Sequence, residues 1–188
     1  MIISYVQTHW KSFSTLVLAC GLAWIGLTSI YSTNTTQGLV PAPRQGFLAP
    51  DFTLQDMAGN QVSLQSLRGK VVVVNIWTTW CAFCKSEMPA FQKVFDSFQP
   101  DSGAVILAVN STIQDDPVKV AQFVKDYGLR YPILLDASGR TTAAYQVRAL
   151  PTTFFIDRNG IIQNVTIGGP LTEVMIQTQI TSMLSQVP

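Results

Sequence analysis

The sequence is poor in charged residues, in histidine and in cysteine. Charged side chains make up 12% of the 188 residues and the formal net charge is +1, which excludes the strongly basic surface that nucleic-acid binding requires. The sequence has no acidic tail either. A chain of this length can bury a sizeable core without cross-links, so its three cysteines are not needed to stabilise a small fold.

The scarcity of histidine restricts the chemistry of Cys81 and Cys84, which are separated by two residues. A closed zinc site needs four ligands, and the remaining cysteine and histidine, Cys20 and His9, both lie near the N-terminus. Covalent haem attachment needs a histidine directly after the second cysteine, where this sequence has Lys85. We therefore expect neither a metal nor a cofactor.

An uncharged and mostly apolar stretch, residues 12–31, reads SFSTLVLACGLAWIGLTSIY. About 20 apolar residues in a helix cross the hydrocarbon core of a bilayer. Lys11 precedes the stretch and no charge follows it until Arg44, so the positive-inside bias places residues 1–11 in the cytoplasm. The run is long and lacks an A-x-A site, so we expect an uncleaved signal-anchor rather than a cleaved signal peptide. Cys20 is expected to belong to the membrane helix rather than to a lipoprotein processing site, because the apolar run continues beyond it.

After the anchor the composition changes twice. Residues 32–48 are rich in Ser, Thr, Asn, Gln, Pro and Gly, which predicts a flexible tether. Residues 49–188 have the pattern of one α/β domain. Strands are expected at 52–54, 61–64, 71–76, 105–109, 133–135, 153–156 and 161–167, and helices at 81–98, 117–127 and 172–184. Strands that alternate with helices and end in a hairpin predict a mixed central sheet with helices on both faces.

The position of the cysteine pair favours redox chemistry over a permanent structural disulfide. A structural disulfide would close so short a loop that it would remove little entropy from the unfolded chain. At the start of a helix, free N–H groups and the helix dipole favour a thiolate on Cys81. The spacing also leaves Cys84 able to attack a mixed disulfide.

Two other functions stay open for the pair. A thiol peroxidase of the peroxiredoxin type carries Pro, then Thr or Ser, then Cys at fixed offsets. Thr78 stands three residues before Cys81, but Val74 occupies the proline position. A non-catalytic binding or holdase module would use the groove near Leu150 and Pro151, and it would tolerate replacement of Cys81 by serine.

The segment WCAFCKSEMP, residues 80–89, resembles the W-C-x-x-C-x-x-E-x-P signature of the TlpA/ResA-type membrane-anchored thioredoxin-like proteins. Three further stretches are similar to this family: residues 49–52, 69–77 and 150–157. The similarity covers residues 48–188. Members of the family also have an N-terminal anchor and tether, but the sequences of these segments are not similar to the present one.

The resemblance implies a thioredoxin fold with an N-terminal β-hairpin and an inserted element at about residues 110–132. It implies that Leu150–Pro151 is a cis peptide that faces the cysteines and pairs with the substrate backbone. It also implies that Glu87 handles the proton of Cys84, since position 75 carries Asn75 and not the acidic residue of cytoplasmic thioredoxin. Trp80 is expected to shape the docking surface beside the first cysteine.

These expectations define a thiol–disulfide oxidoreductase tethered to the outer face of a bacterial cytoplasmic membrane. Cys81 would attack a protein disulfide and Cys84 would resolve the mixed disulfide. The resemblance implies protein thiol and disulfide substrates such as apocytochrome c, a membrane electron donor of the CcdA/DsbD type, and a monomer. The dipeptide Ala82–Phe83 between the cysteines offers neither charge nor donor, so it leaves the direction of electron flow open.

Overall fold

The computed structural model describes Val17, Cys20, Trp24 and residues 40–98 and 102–185. The chain divides into two compact units, residues 1–36 and 37–188. The predicted cytoplasmic segment, almost all of the predicted anchor and residues 32–39 of the predicted tether lie outside the described residues. Among the residues that are described, no helix is long and apolar enough to cross a membrane.

The second unit is built on one seven-stranded sheet with the order β2-β1-β5-β4-β3-β6-β7. Its strands are β1 (Thr53–Asp56), β2 (Gln61–Ser63), β3 (Val71–Trp77), β4 (Ala104–Asn110), β5 (Ile133–Leu135), β6 (Thr152–Ile156) and β7 (Ile162–Ile167). β3 pairs in parallel with β4 and antiparallel with β6. The mixed sheet that the sequence predicts is therefore confirmed, and its first two strands form the expected hairpin.

Within residues 40–98 and 102–185, four α-helices accompany the sheet: α1 (Ala82–Ser97), α2 (Pro117–Asp126), α3 (Arg140–Ala144) and α4 (Glu173–Leu184). Short 3-10 turns cover Gln65–Leu67 and Thr112–Gln114. The sequence predicts α1, α2 and α4 but not α3, whose five residues are too few to show an apolar period. A tertiary contact holds α3 instead, because buried Asp136 accepts hydrogen bonds from the backbone N–H and the hydroxyl of Thr142, both at 2.8 Å.

The central strand β3 is buried along all seven of its residues. Its β-branched side chains alternate between two apolar clusters, as the period of a strand requires. On one face Val73 packs with side chains of α1, α2 and α4, among them Met88, Phe91, Phe123 and Ile176. On the other face Val74 packs with Tyr145, which follows α3, and with residues of the N-terminal segment such as Phe52.

Residues 40–48, the described part of the predicted tether, lie against the edge of the sheet. The N–H of Gly46 donates to the carbonyl of Ile162 at 2.8 Å, and the N–H of Ile162 donates to the carbonyl of Phe47 at 2.9 Å. Leu48 forms a further antiparallel bridge with Ile161. These bonds satisfy backbone groups beside β7, so residues 40–48 belong to the compact unit that contains the sheet.

Candidate redox active site

Cys81 and Cys84 form a disulfide at the N-terminus of α1, with their Cα atoms 5.2 Å apart. Cys81 is the N-cap residue, and its sulfur accepts a hydrogen bond of 3.1 Å from the backbone N–H of Cys84. The first turn of α1 carries no acidic side chain that would oppose a thiolate there. Both residues are buried, but Cys81 retains 6% exposure whereas Cys84 has none.

Glu87 lies in the same helix three residues after Cys84 and is fully buried. Its Oε1 accepts from the side-chain amide of Asn75 at 2.8 Å, and its Oε2 accepts from the backbone N–H of Leu171 at 3.0 Å. Burial raises the pKa of Glu87 from 4.5 to about 7, and the two hydrogen bonds offset only part of that rise. A carboxyl group with this pKa can both take up and release a proton near neutral pH.

The peptide bonds Leu150–Pro151 and Gly169–Pro170 are both cis. The first is the cis bond that the family resemblance implies. Leu150 packs against the apolar cluster that contains both cysteines. At Gly169 an added Cβ would lie 2.7 Å from Oε2 of Glu87 and 2.9 Å from Cγ of Pro151, so the backbone there fits between these two side chains. The loop before α4 therefore joins the cis-proline loop to the buried carboxyl group.

Asn75 is a buried polar residue in the middle of the apolar strand β3. Its Nδ2 donates to Oε1 of Glu87 at 2.8 Å and to the hydroxyl of Thr153 in β6 at 2.9 Å. The residue that replaces the acidic group of cytoplasmic thioredoxin thus donates a hydrogen bond directly to Glu87 on α1.

Trp80 is 59% exposed beside Cys81, and Phe83 and Ile113 are exposed to the same degree. The indole N–H of Trp80 donates to the carbonyl of Gln114 at 2.9 Å. The preceding Thr79 donates its backbone N–H and its hydroxyl to the two carboxylate oxygens of Asp115, both at 2.6 Å. The loop between β4 and α2, which begins the predicted inserted element, therefore fixes Thr79 and Trp80, the two residues before Cys81, by hydrogen bonds.

Sequence reasoning placed Cys81, Cys84 and Glu87 on one helix but missed the residues that surround them. Those residues are Asn75, Thr153, Gly169 and Leu171 around the carboxyl group, and Gln114 and Asp115 beside Trp80. One signal was available, since a polar residue in a buried strand requires a hydrogen-bond partner. The sequence alone does not show which partner that is.

In the part of the chain that the structure describes, no group of three or more histidine, cysteine, aspartate and glutamate side chains is arranged to hold a metal ion. The fold and the site define a thioredoxin-like protein with a vicinal disulfide at a helix N-terminus and a buried carboxyl group one turn further along.

Comparison with known proteins agrees with this class. Residues 46–165 match the AhpC/TSA family. The thiol-disulfide oxidoreductase ResA of Geobacillus thermodenitrificans is 37% identical over 90% of this chain and 93% of its own length. The ResA of Bacillus subtilis is 35% identical over 86% of this chain and 84% of its own length.

Solved structures show the same relationship. StoA from Bacillus subtilis superposes with a TM-score of 0.62 and 28% identity, over 69% of this chain and 96% of its own. A protein described as a thiol:disulfide interchange protein DsbE, from Chlorobium tepidum, gives a TM-score of 0.67 and 28% identity over 76% and 99%. The chain belongs to the AhpC/TSA family and, within it, to the ResA-type thiol–disulfide oxidoreductases. It is a protein disulfide oxidoreductase, and its cysteine pair, Cys81 and Cys84, forms a disulfide.

Proposed function

We propose that this oxidoreductase reduces protein disulfides on the outer side of a bacterial cytoplasmic membrane, to which residues 12–31 anchor it. Its substrates on this proposal include the paired cysteines of apocytochrome c before haem attachment. The observation that carries the proposal is the burial of Glu87 one turn beyond Cys84, because reduction requires that Cys84 lose its proton within the protein.

The reaction begins from the dithiol form. The Cys81 thiolate attacks one sulfur of the substrate disulfide, so a mixed disulfide forms and the other substrate sulfur leaves as a thiolate. Cys84 passes its proton to the Glu87 carboxylate, and the Cys84 thiolate then attacks the Cys81 sulfur. The second substrate thiolate leaves, and the two electrons that reduced the substrate are balanced by the new Cys81–Cys84 disulfide.

The difference in burial between the two cysteine residues supports these roles. Cys81 retains contact with solvent and is the N-cap of α1, where N–H groups stabilise a thiolate, whereas Cys84 is fully buried. A substrate therefore reaches Cys81 first. Return to the dithiol requires an external two-electron donor, and a membrane dithiol protein of the CcdA/DsbD type would meet Cys81, the less buried of the two cysteines, in the same way.

A trapping experiment tests the proposal. Replacing Cys84 by serine leaves Cys81 able to form a mixed disulfide but removes the thiol that resolves it. In cells we expect covalent adducts of the Cys84→Ser variant, linked through Cys81 and containing apocytochrome c. The Cys81→Ser/Cys84→Ser double variant is the matched control and should carry none. Absence of every Cys81-linked adduct would contradict a disulfide-exchange role and favour the binding module.

A peroxidase is the second candidate, because the matched AhpC/TSA family model covers residues 46–165. If the protein were a thiol peroxidase, the reduced form would consume hydrogen peroxide at a rate that depends on Cys81. We expect the reduced wild type to consume hydrogen peroxide no faster than an ordinary protein thiol does. Replacing Cys81 by serine should therefore change the rate little.

Measuring the equilibrium of the protein with glutathione gives the direction of exchange, since about 30 mV corresponds to a tenfold change in the equilibrium constant.

A further inference from the structure

The side chain of Asn75 is only half satisfied. Its Nδ2 donates two hydrogen bonds, to Glu87 and to Thr153, whereas its Oδ1 is buried and has no hydrogen-bond partner among the described residues. A buried acceptor without a partner is costly and rare in folded proteins. Because this unpartnered oxygen belongs to the side chain that contacts Glu87, we infer that the present orientation of the Asn75 carboxamide suits only one protonation state of the Glu87 carboxyl group.

The arrangement suits the ionised carboxylate of Glu87. Both groups that contact its oxygens are donors, namely Nδ2 of Asn75 and the backbone N–H of Leu171. A protonated carboxyl group has an O–H that needs an acceptor instead. The N–H of Leu171 cannot become one, because a backbone amide nitrogen only donates.

Rotation of the Asn75 carboxamide by a half-turn supplies the missing acceptor. The rotation places Oδ1 at the present position of Nδ2, about 2.8 Å from Oε1 of Glu87 and about 2.9 Å from the hydroxyl of Thr153. The Thr153 hydroxyl is able to adapt because it both donates and accepts. Both contacts of the carboxamide then survive with their direction reversed, and Nδ2 takes the buried position without a partner that Oδ1 has now.

We propose that Asn75 is a two-state partner of Glu87: its amide donates to the carboxylate and, after rotation, its carbonyl accepts from the carboxylic acid. This inference rests on the proposed function and deepens it. When Cys84 gives its proton to Glu87, the rotation preserves the hydrogen bond between Glu87 and Asn75. Asn75 carries no proton itself and is a positioning residue.

The other groups around Glu87 do not offer this exchange between donating and accepting a hydrogen bond. On α1 the neighbouring Cys81 and Cys84 are joined in the disulfide and do not titrate in the oxidised protein. From the segment before β5 the buried Tyr131 interacts electrostatically with Glu87. Asn75 of β3 contributes no charge, and Leu171 of the loop before α4 contributes only a backbone donor. Among the described residues no basic side chain forms an ion pair with Glu87.

Nuclear magnetic resonance tests the proposal on the full-length oxidised protein in detergent micelles, without substrate. The sequence contains only two glutamates, Glu87 and Glu173, so carboxyl-labelled glutamate gives two signals and Glu87→Gln assigns them. In a pH titration, we expect the side-chain amide resonances of Asn75 to shift with the same midpoint as the Glu87 carboxyl signal. Its N–H contacts with the Thr153 methyl group should be present above that midpoint and lost below it.

Two outcomes overturn the proposal. One is an Asn75 amide that keeps its N–H groups towards Thr153 on both sides of the Glu87 midpoint. The other is a Glu87 carboxyl signal that does not titrate between about pH 4 and pH 10, a range that brackets ordinary and raised carboxyl pKa values. Either result leaves the disulfide-exchange role to be judged by the Cys84→Ser trap, so the two proposals fail separately.

Variants provide the kinetic test. Asn75→Leu has a similar shape but neither donates nor accepts, so it should move the Glu87 midpoint upward because the charge-assisted bond to the carboxylate is the stronger of the two. It should also slow the resolution of a mixed disulfide by Cys84 by roughly tenfold at neutral pH. The matched control Thr153→Val leaves the hydrogen bond between Asn75 and Glu87 in place, so the Asn75 amide and the Glu87 carboxyl signals should still change with one common midpoint, whatever its value. An unchanged midpoint in Asn75→Leu contradicts the proposal.

Discussion

At the scale of single residues, the site depends on a carboxyl group in an environment that carboxyl groups usually avoid. Glu87 has no solvent exposure, and only two donors compensate its lost hydration. The neutral form is therefore favoured, and the pKa rises to about 7. On the proposed mechanism this cost is useful, because Cys84 then has a proton acceptor one helical turn away that also releases the proton near neutral pH.

The raised pKa of Glu87 predicts how stability varies with pH. In the unfolded chain the carboxyl group loses its proton near pH 4.5, whereas in the folded protein it does so near pH 7. The contribution of Glu87 to the free energy of unfolding is thus fully present below pH 4.5. It falls by about 3 kcal/mol as the pH rises to about 7. Chemical denaturation of the oxidised protein at pH 4.5 and pH 8 should show this loss.

The matched control for that prediction is Glu87→Gln. Glutamine keeps the size of the side chain and has no proton to lose, so the difference between the two pH values should shrink by the same amount. Equal pH dependence in the two proteins would show that another group is responsible. The same variant should slow resolution of a mixed disulfide by about a hundredfold, the lower range for loss of a positioned general base.

Gly169 gives a second prediction at this scale. An alanine Cβ there would lie 2.7 Å from Oε2 of Glu87 and 2.9 Å from Pro151, distances that real contacts essentially never show. Gly169→Ala should displace the Glu87 carboxyl group, change the midpoint of its titration and lower the rate of disulfide reduction. Carboxyl resonance and a disulfide reduction assay measure these effects.

The neighbouring glycine is the control. Gly168 has a φ of +84°, so alanine strains its backbone by about 1 kcal/mol or more, but nothing lies within 4 Å of the added Cβ. Gly168→Ala should therefore reduce stability and leave the Glu87 midpoint where it is. If both variants moved the midpoint equally, general loosening of the loop would explain the effect and the contact with Gly169 would not.

At the scale of elements, the parallel register of β3 and β4 positions the site. Trp77 lies opposite Asn110, so the two strands end at the same edge of the sheet. The loops that follow therefore leave side by side, and the N–H of Ser111 donates to the carbonyl of Trp77 at 3.0 Å. Asp115 and Gln114 continue this connection to Thr79 and Trp80. The inserted element consequently supports the cysteine loop.

Asp115→Ala tests this support. It removes the acceptor of two hydrogen bonds from the buried Thr79, each at 2.6 Å, and of one from Asn110 at 2.9 Å. Hydrogen bonds to a charged group contribute about 1.5–3 kcal/mol each, so we expect a loss of at least about 2 kcal/mol in the free energy of unfolding. The rate of Cys81 alkylation in the reduced protein should also change, because the preceding loop is released.

Asp116→Ala separates this effect from helix capping. Asp116 caps α2 through a 2.8 Å bond from the N–H of Val118 and does not contact the cysteine loop in the described structure. Its loss should cost about 1 kcal/mol and leave Cys81 alkylation unchanged. Equal alkylation rates in wild type and Asp115→Ala would contradict the role assigned to Asp115.

At the scale of the whole molecule, the domain and the predicted anchor are distinct units of the chain. We expect the full-length protein, expressed in bacterial cells, to stay with the membrane fraction after alkaline carbonate extraction, because residues 12–31 are long and apolar enough to span a bilayer. Protease added to spheroplasts should digest the domain. Complete release by carbonate, or protection of the domain from protease, would contradict the proposed anchoring and orientation.

Much of the fold was predictable because its elements carry their own local signals. The buried strand β3, the helices α1, α2 and α4 and the mixed sheet all follow from apolar periodicity and from capping residues such as Thr172. Helix α3 was not predictable, since its stability comes from contacts with Asp136 rather than from its five residues. The ordering of residues 40–48 depends likewise on pairing with β7.

The sequence by itself determined the chemistry of this protein: two cysteines at the start of a helix, a glutamate three residues further on, and no histidine after residue 9 to bind metal or haem. These conclusions follow from residue type and helical spacing, which are local properties. Only the tertiary structure decided which groups surround the carboxyl. Asn75, Leu171 and Gly169 are 12, 84 and 82 residues from Glu87 along the chain, and the packing of α1 on β3 and of the loop before α4 brings them together. Burial and hydrogen bonding set the pKa of that group, and both are properties of the folded chain.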